Sequence, residues 1–442
     1  MTSKQRMQVA MARAIPDRVP VMCQLALGHY FLHAGLDPFD VWFTSDGFAE
    51  ALIRLRERYR FDGILVNLPG RPPDISRYVD RIERGETEDR VFWLNGGAAR
   101  LPHDDNAHYV RAAEQRPVPP FAEIEPDALF YVEPWDATGV NYPFTWDFER
   151  EPRPESDFFP SYCTATIEAV LARVGETISV HSELFSPFSQ LLELLGYEAA
   201  LVALLDDPAK AHACLERLTV GAIELGRRQA RCGVDAVLIS SAFAGAGFIS
   251  REHYAEFVLP YERQLTAAIR AEGWHGQAAR GLAPFCPDRD GTAGAGPESQ
   301  QTLRQRADAS GKKVPDPLSS AAPPLYIYTH TCGAIGDRLD LMLDTGTDGI
   351  DTLDPPPLGT VELDKAKPQL AGKAFIKGNI DAVNTLLEGT NEHFTQDVRW
   401  RLEVGKPGGG YILSSACSVA PHVKPARLEQ LVTLAEELGR YD

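Results

Sequence analysis

The chain has 442 residues, 44% of them hydrophobic, which is enough to bury a large core and too apolar for a disordered or fibrous chain. Its 44 basic residues against 62 acidic ones leave a formal net charge of -18, which argues against any sequence-independent grip on a phosphate backbone, so no nucleic-acid partner is expected. No stretch approaches the roughly 20 uninterrupted apolar residues of a membrane helix, the opening MTSKQRMQVAMARAIPDR is too polar for a signal peptide, and the seven cysteines lack framework spacing, so the expectation is a cytoplasmic protein with reduced thiols and no membrane partner.

In chain order, eight short apolar runs alternate with helical segments: VPVMCQL opening at Val19, GILVNL (63–68), TISVHSEL (177–184), AVLISSAF (236–243), YIYTHTC (326–332), GIDTLD (349–354), AFIKGNI (374–380) and GYILSSAC (410–417). In SREHYAEFVLPYERQLTAAIRAEG, Ser250 is an N-cap, Glu252 sits in the first turn and Gly273 ends the helix. GAIGDRLDLMLDTG places Ile335, Leu339 and Leu343 four apart on one helical face before the strand that opens at Gly349. Strict β/α alternation with eight buried strands predicts a single decorated α/β domain, a TIM (β/α)8 barrel with its active site at the C-terminal ends of the strands. Two excursions break the rhythm. One spans 69–160 after the second strand, holds PGRPPD, RPVPPF and YVEPWDATGVNYPF, and is placed to cap the site; the other, 275–322 before the fifth strand, has no apolar periodicity and reads as a flexible insertion.

His330 and Cys332 lie two apart at the end of the fifth run, and strand alternation turns both side chains to one face. Cys417 ends the eighth run, and in a barrel all strand ends ring one mouth, so its distance along the chain is no obstacle. Three ligands of this type suit Zn2+ with a fourth position free, the arrangement of a catalytic rather than a structural site. Two thiolates neutralise the dication, so a third from a substrate stays nucleophilic; the alternative use is as a Lewis acid on a leaving group, and spacing does not choose between them. Against this stands the ordinary role of a buried cysteine as a small hydrophobe, which is how Cys23, Cys163, Cys214, Cys232 and Cys286 are read.

The segments THTCGAIGDRLDLMLDTGTDGIDTLDP, GNIDAVNTLLEGT and GGYILSSACSVAPHVKP, with RMQVAMARAIPDRVPV and SREHYAEFVLPYERQLTAAI, resemble the uroporphyrinogen decarboxylase superfamily over most of the chain outside the two excursions. The resemblance implies a TIM barrel. It departs from the true decarboxylases, which carry an arginine-rich RQAGR-type segment after the first strand where this chain has CQLALGHYFLHAG, and an aspartate in an FSDIL-type second strand where it has FDGILVN. Binding of a four-carboxylate porphyrinogen thereby loses its main cationic support. The HxC…C pattern is instead similar to the zinc-dependent corrinoid-linked methyltransferases, and it lands on His330, Cys332 and Cys417.

That branch implies methyl transfer between a small methylated compound and a corrinoid (cobalamin). The chain shows no DxHxxG-type corrinoid signature, so a corrinoid protein is the expected partner, and whether two barrels pair as a homodimer stays open. A metal-free lyase acting on a carboxylated ring or tetrapyrrole is the alternative, and a binding protein without turnover a third. Glu183 at the third strand's end is a candidate proton donor or fourth ligand, and Asp354 a candidate ligand or orienter of His330; a rim salt bridge and a turn start are their ordinary roles. His29, Asn67, His181 and Asn379 are candidate substrate contacts, with core packing or turn formation as the bland roles, and Tyr30, Trp135 and Tyr142 are candidates for an aromatic pocket.

Overall fold

A computed structural model describes residues 1–110, 120–132, 154–279 and 324–441. Its strands, in chain order, are β1 (Gly63–Val66), β2 (Val79–Glu83), β3 (Glu88–Trp93), β4 (Ala98–Pro102), β5 (His108–Val110), β6 (Ser179–Phe185), β7 (Ala236–Ser240), β8 (Tyr326–Thr331), β9 (Gly349–Thr352), β10 (Phe375–Ile380) and β11 (Tyr411–Ser415). Seven of them form one curled parallel sheet in the order β1-β6-β7-β8-β9-β10-β11, with helices between successive strands. Every residue of β1, β7, β8, β9, β10 and β11 is buried, as a sheet covered on both faces requires.

The eighth expected strand, VPVMCQL, differs. It meets β11 only through isolated parallel bridges, Val21 beside Leu413 and Leu25 beside Val419, and touches the start of β1 where the Asp62 N–H donates to the Val21 carbonyl at 2.8 Å. Pro20 has no N–H to give a ladder, so this stretch stays extended and buried without becoming a strand. The sheet's interior is filled by Met22, Leu65, Ala236, Leu238, Tyr326, Tyr328, Phe375 and Ile412, packed on Met7, Ala10 and Met11 of the helix Ser3–Met11. That helix is tied to the amino-terminal end of β6 by Lys4 N–H donating to Thr177 O at 2.8 Å, so the inside is plugged at this end.

The described part of the first excursion forms an antiparallel sheet, β2-β3-β4-β5, which rests on the helices that follow the first run: Trp93 packs on Phe43 at 4.8 Å between ring centroids. Of segment 275–322, residues 275–279 end the helix Leu259–Ala279 and the remainder lies outside the described residues. Ser250 caps the helix Arg251–Phe257 by accepting from His253 N–H. Gly273 does not end the next helix. It lies inside it, where a Cβ would come within 2.9 Å of Leu325, so the glycine serves close packing rather than termination. Among the described residues no single helix is long and apolar enough to cross a membrane.

Candidate metal centre

β8, buried throughout, delivers His330 and then Cys332 to the carboxyl end of the sheet, and Cys417 follows β11 by two residues. The His330 Nε2 to Cys332 Sγ distance is 3.2 Å, the two sulfurs are 3.8 Å apart, and the three ligand atoms all lie within 4.8 Å of one another. A tetrahedral ion with Zn–S bonds of about 2.3 Å sets two sulfurs about 3.8 Å apart, so the donors fit zinc without rearrangement of the sulfurs. The ring is buried and both cysteines are partly exposed, which leaves the open side of the cluster toward solvent.

Parallel register sets His330 on β8 opposite Asp351 on β9, and Asp351 opposite Lys377 on β10. Asp351 Oδ2 is 3.2 Å from His330 Nδ1, and Lys377 Nζ donates to Asp351 Oδ1 at 3.0 Å, all three side chains being buried. Thr352 Oγ1 also reaches Nδ1, at 2.8 Å, from a left-handed backbone (φ 80°) that β-branched residues rarely adopt; Leu353 follows at φ 54°. This kink carries Asp354 across to accept the Gly333 N–H at 2.6 Å, fixing the turn beyond Cys332. From the other side the loop after β7 is bonded to the ligand strand: Ser241 N–H to His330 O at 2.8 Å, Cys332 N–H to Ala242 O at 3.3 Å, and Ala246 N–H to Ala334 O at 2.8 Å. The fully buried guanidinium of Arg338 secures the same loop through Ala244 O and Ile249 O.

Burial works against a charged His330, but Asp351 and Cys417 outweigh it and lift its pKa to about 10. Between the thiols, hydrogen bonding from Cys332 and from His330 holds Cys417 well below the ordinary thiol range, while bonding to Cys417 and burial keep Cys332 well above it. Burial alone would raise Asp351, yet Lys377 and His330 hold it below the usual carboxylate range. Burial lifts Glu183 to about 7 despite His330 and a hydrogen bond from Ser240, and lifts Asp354 to about 6 against the Gly333 N–H.

The structure brings Glu183 and Asp354 to the edge of this cluster, in electrostatic reach of His330. Asp354 stands outside the group of three ligand atoms, its carboxylate engaged by the turn. Asn67 follows β1 and lines, with Gln24, a recess between the first run and β1; the buried side-chain oxygens of both lack a hydrogen-bond partner among the described residues. The other three candidates spend their polar atoms on the protein. His29 is fully buried, with Tyr59 Oη 2.8 Å from Nε2 and the Ala420 and Pro421 carbonyls at Nδ1, and burial beside His33 lowers it to about 4. His181 lies between Ser179 and Tyr328 in the interior, lowered to about 3 by burial and by the Lys377 cation. Asn379 donates to Leu353 O and accepts from Arg401, away from any open surface. Tyr30 is packed on Phe48, and Trp135, Tyr142 and Cys286 lie outside the described residues. Asp351 and Lys377 were not anticipated, although a charge in the middle of GIDTLD and of AFIKGNI was a readable signal: buried strands hold charges only in pairs.

A curled, all-parallel α/β sheet that gathers an imidazole and two thiols at its carboxyl end defines the class: a TIM-barrel-like protein with potential metal ligands at the strand ends. The profile of the uroporphyrinogen decarboxylase (URO-D) family matches residues 140–279 and 294–438, and the chain belongs to that family. It is 25% identical over 241 residues to the uroporphyrinogen decarboxylase of Saccharopolyspora erythraea, covering 54% of this chain and 52% of that protein, and 34% identical over 103 residues to the methylated-thiol–coenzyme M methyltransferase of Methanosarcina mazei, covering 23% and 28%. The chain thus spans about half the length of the decarboxylases it matches. A methyltransferase structure from Methanosarcina mazei shares the fold over 99% of both chains, with a TM-score of 0.61 at 14% identity.

Proposed function

We propose that this chain is a zinc-dependent methyltransferase that moves a methyl group between a small methylated substrate (a methoxy, thiol or halide compound) and a corrinoid carried on a partner protein. The observation that supports it is the convergence of His330, Cys332 and Cys417 within 4.8 Å of one another, the two sulfurs at 3.8 Å, on an open strand-end surface. These three side chains would hold the ion; zinc bound there supplies Lewis acidity toward the heteroatom that carries or receives the methyl group. Asp351 and Thr352 orient the His330 ring, and Asp354 fixes the Cys332–Gly333 turn. Glu183, held near neutrality in its titration, is the residue to give a proton to a departing oxygen or sulfur, or to take one from an arriving thiol. Asn67, whose buried side-chain oxygen has no hydrogen-bond partner among the described residues, is the candidate substrate contact at the end of β1. The closed eight-stranded barrel belongs to the same reading, with the first run as its eighth wall.

The curated decarboxylase relatives favour a second reading, a metal-free lyase on a carboxylated ring. Lys377 is the one lysine buried in the sheet among the described residues, and Asp351 occupies it, so the interior offers poor support for several carboxylates. One experiment separates the two. Purified protein is assayed for zinc and for methyl transfer from methyl ethers, methyl thioethers and methyl halides to cob(I)alamin, beside Cys417→Ser. About one zinc per chain and methyl transfer, both lost in the variant, are expected; metal-free protein that decarboxylates a ring substrate contradicts the proposal.

A further inference from the structure

Lys377 is 1% exposed, and among the described residues the one hydrogen bond its ammonium makes to a charged group is to Asp351 Oδ1, at 3.0 Å. The residues before and after it in β10, apart from Gly378 and Asn379, are apolar, and the interior layer beneath it is made of Tyr328, Phe375 and Ile412. A charged pair in such a place costs desolvation that an apolar pair of similar volume avoids, so packing does not account for it. Its geometry points at His330. With Oδ1 held by Lys377, Oδ2 is left 3.2 Å from His330 Nδ1. The other neighbour of Nδ1, the Thr352 hydroxyl at 2.8 Å, can donate or accept and therefore does not decide where the ring proton sits, whereas a carboxylate only accepts.

We propose that Lys377 is a positioning residue of the metal centre: by pinning one oxygen of Asp351 it aims the other at Nδ1–H, which commits Nε2 to the ion, and its charge cancels that of Asp351. This rests on the zinc reading above. Within the ligand set and the pair behind it, two thiolates balance the dication and Lys377 balances Asp351, so the remaining negative charge at the centre comes from Asp354, Glu183 and any substrate thiolate. Without Lys377 the carboxylate is free to turn, and the ring loses the fixed acceptor that commits Nε2 to the ion.

The test measures zinc affinity by competition with a chromophoric chelator, and the absorption bands of the cobalt(II)-loaded protein, for the unaltered chain, Lys377→Met, Asp351→Asn and the double variant. Each single variant is expected to bind zinc 10- to 100-fold more weakly, on the order usual for groups behind a ligand, and to shift the cobalt bands. The double variant is expected to be no weaker than Asp351→Asn, because Lys377 acts through Asp351. Zinc affinity and cobalt bands left unchanged in Lys377→Met, with only the melting temperature lowered, would overturn the proposal while leaving the zinc reading intact. Should Lys377→Met fail to fold, Asp351→Asn against the double variant decides: equal affinities support it, and a further tenfold loss in the double sinks it. An unaltered chain that takes up no metal overturns both.

Discussion

At the scale of single residues, the ion-free cluster is a store of protons. His330, lifted to about 10, carries one at neutral pH, and Cys332, held well above the ordinary thiol range, carries another, while Cys417 is the thiolate. A metal ion must displace two protons, so its affinity rises with pH by about two log units per pH unit while both are bound. Zinc competition measured at pH 6, 7 and 8 checks this, and an affinity flat over that range contradicts the assignment. His330 and Cys332 were legible as a pair because spacing by two fixes a shared face. Asp351 and Lys377 carried an equal clue, a charge within an apolar strand, but their meaning depends on register, which aligns His330 with Asp351 and Asp351 with Lys377 across three strands far apart in sequence.

At the scale of elements, the loop after β7 is a splint for the ligand strand. Gly245 sits where a Cβ would lie 2.5 Å from the Cys332 carbonyl oxygen, so any side chain there must push on the backbone that presents the thiol. Gly245→Ala is expected to weaken zinc binding at least tenfold while costing the fold about 1–3 kcal/mol, the usual range for overpacking. Chelator competition beside a denaturant titration measures both; equal zinc affinity in the variant means the loop does not position Cys332. The left-handed Thr352 and Leu353 were invisible beforehand, since neither residue type announces positive φ; the kink is imposed by what must be reached on either side, His330 and Gly333.

At the scale of the whole molecule, one carboxylate joins the first run to the edge of the sheet. Asp62, fully buried just before β1, accepts the Val21 N–H at 2.9 Å and pairs with Arg6 at 2.7 Å and Arg18 at 2.9 Å. It ties the plugging helix, the first run and β1 together, doing with side-chain bonds what a strand ladder does elsewhere. Asp62→Ala takes the carboxylate from Arg18 and one of two from Arg6, which keeps Asp17, and is expected to destabilise the protein by about 3 kcal/mol. A denaturant midpoint equal to that of the unaltered chain would show the junction is held by other contacts.

The alternation of apolar runs and amphipathic segments determined an α/β protein with a parallel sheet, because burial on both faces of such a sheet writes itself into every strand. The same pattern named His330, Cys332 and Cys417, whose placement follows from local periodicity and strand ends alone. Tertiary structure decided the rest: that the first run bridges rather than ladders, that His29, His181 and Asn379 turn to protein partners, and that Asp351 and Lys377 stand behind His330. These depend on which atoms of distant segments meet, and a hydrogen bond is sensitive to tenths of an ångström where a hydrophobic pattern is sensitive only to inside and outside.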